Sequence, residues 1–221
     1  MKLNLSALFV FLLLSSALFG QKEVLFDGKN LQKWAAFEPA SGRHDNAEDL
    51  FHFKDKVLHL CGKKAGWLMT RESYTNFVFT AEFRWNEDSE HYERKSSSRN
   101  SGVMYLIPES AKDTLFPKGI QFQIKEKRTG DFIFLGGITA TINGKQTIPG
   151  RSVTCNRMLD AEKKIGEWNK MKIIVKDGKI TQILNGKIVN QAENPSELAG
   201  RIVLLYEGYP IDFRKVVVKK M

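Results

Sequence analysis

The sequence holds few of the residues from which many protein sites are made. Its 221 residues include two cysteines, six prolines and four histidines. A cysteine pair, Cys61 and Cys155, excludes a disulfide-dense scaffold and a four-cysteine zinc site, and leaves at most one internal bond open in an oxidising compartment. His44, His52, His59 and His91 share no metal-ligand spacing, so no metal site is expected. No Ser/His/Asp set and no glycine-rich phosphate loop is present, and the pattern names no cofactor. Beyond the first twenty residues no apolar run approaches the roughly 20 residues of a membrane helix, and no segment sustains a helical period.

The first twenty residues are of another kind. Lys2, the apolar run Leu5 to Leu14 and the small residues Ser15, Ser16 and Ala17 follow the order of a secretory signal peptide. Cleavage near Gly20 is expected, which makes residues 21–221 a secreted or periplasmic protein. No Pro/Gly/Ser-rich linker divides that stretch, so it is read as a single domain. The formal charge of +9 falls by one with Lys2, and its cations are scattered from Lys22 to Lys220. Without a nucleic-acid-binding motif, this charge is read as a solvated basic surface, and nucleic acid is not an expected partner.

What is present is alternation. Phe77, Phe79, Ala81, Phe83 and Trp85 alternate with Val78, Thr80, Glu82 and Arg84, the pattern of a half-buried strand. Asn143-Gly144, Asp177-Gly178 and Asn185-Gly186 are hairpin turns, because these residues tolerate positive φ. The latter two make a meander of Lys170–Lys176, Lys179–Leu184 and Lys187–Gln191. Further strands are expected at 24–26, about the turn 54–56, and at 66–70, 102–107, 119–125, 201–206 and 213–219. Single helical turns are expected at 31–34 and 195–199, and a long exposed loop at 86–99. Many short strands without βαβ alternation make the chain all-β, a jelly-roll sandwich of two antiparallel sheets.

One strand carries chemistry. In Gly119 to Glu126, GIQFQIKE, the residues Ile120, Phe122 and Ile124 point one way while Gln121, Gln123 and Lys125 point the other. Two amides that both donate and accept suit a binding cleft, and a solvated outer face is the plainer alternative.

LFDGKNLQKW (25–34), GWLMT (66–70), NSGV (100–103), GIQFQIKE, GEWN (166–169), LNG (184–186) and the closing GRIVLLYEGYPIDFRKVVVK, in this order, resemble the 3-keto-disaccharide hydrolase domain family over nearly the whole of 21–221. The resemblance implies a concanavalin-like jelly roll and a small carbohydrate substrate, a glycoside whose ring carries a ketone at carbon 3. In such a ring the ketone acidifies the C2 proton. A base can remove it, donors can hold the enolate oxygen, and the C1 substituent can leave before water adds. The matched motifs offer Glu126 as base, Gln121 and Gln123 as ligands to ketone or hydroxyl, Asn100 as a further polar contact, Arg214 as a cation and Trp168 as a stacking surface. Each has a plainer role: Asn100 in a turn, Trp168 as a core or rim aromatic, Arg214 paired with Asp212 or Glu207.

The chain also departs from the family's pattern. Gln121 stands where Glu is usual, Leu106 where an Arg is common, and Leu205 and Glu207 where Gln and His are favoured. Glu207 is therefore the second candidate carboxylate.

Overall fold

A computed structural model describes residues 21–62, 64–87 and 98–221. The segment read as a signal peptide and most of the loop expected at 86–99, His91 included, lie outside the described residues. Among the described residues there are eighteen strands. They are β1 (Lys22–Phe26), β2 (Trp34–Glu38), β3 (Gly42–His44), β4 (His52–Lys54), β5 (Val57–Leu60), β6 (Gly66–Thr70), β7 (Phe77–Trp85), β8 (Asn100–Ile107) and β9 (Gly119–Lys125). There follow β10 (Phe132–Leu135), β11 (Thr141–Ile142), β12 (Lys145–Gln146), β13 (Ser152–Cys155), β14 (Asn169–Lys176), β15 (Lys179–Leu184), β16 (Lys187–Glu193), β17 (Arg201–Tyr206) and β18 (Ile211–Lys220).

The strands form two antiparallel sheets. The ten-stranded sheet runs β12-β11-β16-β15-β14-β7-β18-β5-β4, with β1 also paired to β18, and the eight-stranded sheet runs β13-β10-β9-β8-β17-β6-β2-β3. The long alternation of β7 places Phe77, Phe79, Phe83 and Trp85 between the sheets, where they meet Tyr105, Ile120, Phe122 and Ile124 of β8 and β9. The hairpins at 177–178 and 185–186 form as expected, with positive φ at both central residues of each turn.

Several expectations need correction. A turn closed by Trp34 N–H donating to Leu31 O (2.9 Å) replaces the helical turn at 31–34, and no helix forms at 195–199. The polar loop around 43–49 contains a short 3₁₀ turn, Ala47–Asp49, capped by the Asn46 side chain. Cys61 and Cys155 are unbonded: one follows β5 of the ten-stranded sheet, and the other ends β13 of the eight-stranded sheet. Burial and the nearby Asp212 carboxylate push the Cys61 thiol up to about 12.

The eight-stranded sheet is covered on its inner face and on part of its outer face. A second cluster, including Phe37, Trp67, Met104, Val203 and Leu205, lies on its outer side against Ala111 of the segment joining β8 to β9. That segment is tied down by Trp67 Nε1 donating to the Thr114 carbonyl (2.8 Å) and by an Arg43–Asp113 ion pair at 3.3 Å. In β8, Leu106 has φ +53, and the β17 register shifts between Arg201 and Val203. This bulge lets the consecutive Tyr105 and Leu106 both enter the inter-sheet core and returns Ile107 to the outer face.

Candidate functional site

The tied segment leaves the rest of that outer face open as a cleft of about 790 Å³. Its floor includes Gln121 and Gln123 of β9, which are only 3% and 8% exposed, so their face is a sheltered floor and not a solvated surface. Asn100 opens β8 opposite Lys125, and Gly102 lies opposite Gln123. A Cβ on Gly102 would come within 2.4 Å of the Gln121 amide nitrogen, so the glycine gives that side chain room to lie across the neighbouring strand.

The amides form a relay of one polarity. Gln121 Nε2 donates to Gln123 Oε1, Gln123 Nε2 donates to Asn100 Oδ1 (3.3 Å), and Asn100 Nδ2 donates to Glu207 Oε2 (2.5 Å). Glu207 follows directly on β17, which pairs with β8, and that pairing brings its carboxylate over Asn100. Burial pushes its pKa up to about 7, and the Lys125 ammonium offsets only part of that rise. A carboxylate that titrates near neutrality in a cleft is suited to accept a proton and return it.

The other carboxylate of the cleft, Asp131, is buried and hydrogen-bonded at one oxygen, while its Oδ2 has no hydrogen-bond partner among the described residues. Asp131 Oδ1 accepts from the Arg157 backbone N–H (2.8 Å), and Oδ2 faces Arg128 Nε at 3.7 Å.

The structure separates the residues named from the sequence. It brings together Asn100, Gln121, Gln123 and Glu207. It does not bring in Glu126, whose turn into the cleft would have needed a bulge at Lys125. Instead the pairing of β9 with β8 runs without a register shift to Lys125, so Glu126 leaves on the parity of Ile124. Its backbone N–H donates to Arg99 O (3.2 Å), its carboxylate pairs with the Arg99 guanidinium at 2.7 Å, and it borders a different hollow, of about 220 Å³.

Trp168 and Arg214 are misplaced for a different reason: they belong to the other sheet. Trp168 precedes β14, and Arg214 lies on the outer side of β18, its guanidinium 4.0 Å from the centre of the Trp168 ring. Neither Asp212 nor Glu207 is its ionic partner, since Arg214 Nε donates to Glu82 Oε2 at 2.6 Å. Two parts of the cleft had no sequence signal. Phe116, in a loop between Pro108 and Pro117, and Arg151, just before β13, become neighbours of the site only through the pairing of β9, β10 and β13.

Two antiparallel sheets packed face to face make the fold a jelly-roll sandwich, with the polar cleft on one outer face. The chain is similar in fold to a candidate glycosyl hydrolase from Parabacteroides distasonis (TM-score 0.63, 18% identity, covering 91% of this chain and 94% of that one). It is likewise similar to the Bacillus licheniformis beta-glucanase (TM-score 0.53, 12% identity, 91% and 98% covered) and to a carbohydrate-binding module from Bacillus subtilis (TM-score 0.52, 10% identity, 77% and 91% covered). No curated protein matches the sequence. The chain belongs to the 3-keto-alpha-glucoside-1,2-lyase-like domain family, whose profile matches residues 21–219.

Proposed function

We propose that the protein cleaves 3-keto glycosides by elimination and rehydration, with Glu207 as the proton-transferring group. One observation carries this reading: in the cleft, the Glu207 carboxylate stands at the end of the amide relay, held by an amide donor and by no ion pair among the described residues, with its pKa raised to about 7. Ordinary glycoside hydrolysis uses a pair of carboxyl groups. A 3-keto ring needs only one base for its first step.

In that step Glu207 takes the C2 proton, and the C2–H electron pair becomes the C2=C3 bond as the ketone becomes an enolate. Asn100 and Gln123 line the cleft with amide groups beside Glu207, and an amide N–H directed at the enolate oxygen would stabilise it as charge develops. The enolate then re-forms the ketone and the electron pair moves into C1=C2. The C1–O bond breaks, and the departing oxygen takes the proton from Glu207. Addition of water across C1=C2, oxygen to C1 and hydrogen to C2, completes a net hydrolysis.

This reading treats residues 21–221 as one secreted or periplasmic domain, on the strength of the pattern from Lys2 to Ala17. Mass spectrometry of exported protein should find no residue before about Ala17; retention of Met1 would refute the export reading. The activity is tested by incubating the purified protein with a 3-keto glucoside and with its unoxidised parent. Release of the aglycone from the keto compound alone supports the proposal. Saturable binding without release from either would make the protein a carbohydrate-binding jelly roll.

A further inference from the structure

The cleft has two unlike ends. At one lie Asn100, Lys125, Asp131 and Glu207, all near the β8 start and the β9 end. At the other lie Phe116, Leu135 and Arg151, near the β9 start, where Leu135 pairs with Gly119 and Ser152. Asp131 and Leu135 are four residues apart along one extended segment, so the ends are separated by about 13 Å at the usual rise of a strand. That is longer than one six-membered ring. If Glu207 works on the keto ring, as proposed above, the far end is where the group leaving from C1 lies.

The far end has a chemistry of its own. Phe116 is 45% exposed on a segment that the Trp67–Thr114 and Arg43–Asp113 contacts hold in place, and with Leu115, Ile133 and Leu135 it offers an apolar wall. An exposed aromatic on an anchored wall suits a flat ring. Arg151 stands at the same end, its backbone carbonyl accepting from Gly136 N–H (3.1 Å). Arg128 pairs with Asp131 at 3.7 Å, whereas neither Lys125 nor Arg151 has an ion-pair partner among the described residues, and of these two Arg151 stands at the far end.

A planar apolar wall beside an unpaired guanidinium matches an aromatic ring bearing a carboxylate, because the guanidinium fork can donate to both carboxylate oxygens. We infer that the leaving group is a carboxylated aryl aglycone, stacked on Phe116 and paired with Arg151. The inference rests on the proposed chemistry only for which end holds the breaking bond.

Binding of unoxidised glucosides tests it without turnover. The probes are 4-carboxyphenyl glucoside, its neutral near-isostere 4-carbamoylphenyl glucoside, and methyl glucoside, titrated by calorimetry at two salt concentrations. The carboxylate should bind about tenfold more tightly than the carboxamide, less so at high salt, as expected of a charge-assisted pair. Arg151→Gln should bring the two within about twofold, and Phe116→Ala should weaken both aryl ligands together. Equal binding of the two aryl glucosides, or a preference that survives Arg151→Gln, overturns the inference even if their 3-keto forms are cleaved. A preference lost in Arg151→Gln with no cleavage of any 3-keto form would sustain the aryl-acid site and reject the 3-keto reaction.

Discussion

On the outer face of the ten-stranded sheet, charge is answered by charge. Asp212, 1% exposed, receives Arg84 Nε (3.0 Å) and Asn86 Nδ2 (3.2 Å) and lies 2.7 Å from His59 Nδ1, while Glu82 receives both Arg214 (2.6 Å) and Lys215 (2.9 Å). On the outer face of the eight-stranded sheet, Glu207 is sheltered with an amide in place of a cation, and Arg151 has no counter-ion among the described residues. Saturated networks hold a sheet face together and leave little affinity for a ligand. Groups kept short of partners in a cleft retain theirs. The residue types on the two faces overlap, so it is the state of pairing that marks the site.

Glu207→Gln is the most severe test of that contrast. Positioned base catalysis contributes about 100- to 10,000-fold, and loss of turnover in that range on a 3-keto glucoside is expected. The wild-type rate should rise with pH through about 7, as the carboxylate ionises. Stability should move the other way. Between 4.5, the ordinary value, and about 7 the native chain holds a proton that the unfolded chain has released, so stability falls as pH rises. A shift of this size corresponds to about 3 kcal/mol, present in full above pH 7. The Gln variant should therefore be less active yet more stable at pH 8, with no difference at pH 4. Chemical denaturation at both pH values checks it; a variant equally destabilised at each would show that Glu207 is an ordinary structural residue.

The matching change on the paired face is Asp212→Ala. It leaves His59, Arg84 and Asn86 without their common acceptor and should cost about 3 kcal/mol, the low end for breaking a buried pair because half-exposed Arg84 can rehydrate. Activity per folded molecule should stay at the wild-type level. A loss of turnover at full folding would move the site to the other sheet.

How much of this was legible in the sequence depends on which physical signal each residue leaves. The alternation of β7 and the Asx-Gly hairpins were readable because side-chain period and positive φ are local properties. Strands β2 and β10 were not, since WAAFE and FIFL are largely buried on both faces and show no alternation. The amide pair on β9 was readable from parity, and so was the difficulty with Glu126, which lies on the wrong parity. Sheet membership was not. Trp168 and Arg214 have the chemistry of a sugar site, but only the long-range pairing of β14, β7 and β18 decides that they face away from it. Phe116 and Arg151, far apart in the chain and in no motif, left no signal at all.

Within the cleft, Gln123→Ala sharpens the contrast by removing the middle of the relay. The Gln121 amide would keep only the Ser101 carbonyl (3.3 Å) as acceptor and Asn100 would lose its donor, and a substrate oxygen left unpaired should weaken binding by about 1 to 3 kcal/mol. The effect should fall mainly on KM. An unchanged KM with a lowered kcat would instead place Gln123 at the enolate oxygen, in the step where charge develops.

The smallest effect belongs to Glu126→Gln, and it separates parity from motif. Glu126 sits within the strand motif that pointed to the site, and sequence resemblance alone would make it a base. Its carboxylate, 44% exposed, faces Arg99 outside the cleft, and an exposed ion pair contributes about 0 to 1 kcal/mol. Neutralising it should shift stability by no more than that and leave turnover on a 3-keto glucoside within about twofold of wild type. The measurement is a pair of kinetic curves, Glu126→Gln beside Glu207→Gln, on one substrate at pH 8. If the first falls a hundredfold and the second does not, the chain must rearrange around Lys125 when substrate binds, and the amide relay would be scaffolding for a carboxylate that enters from the opposite face of β9.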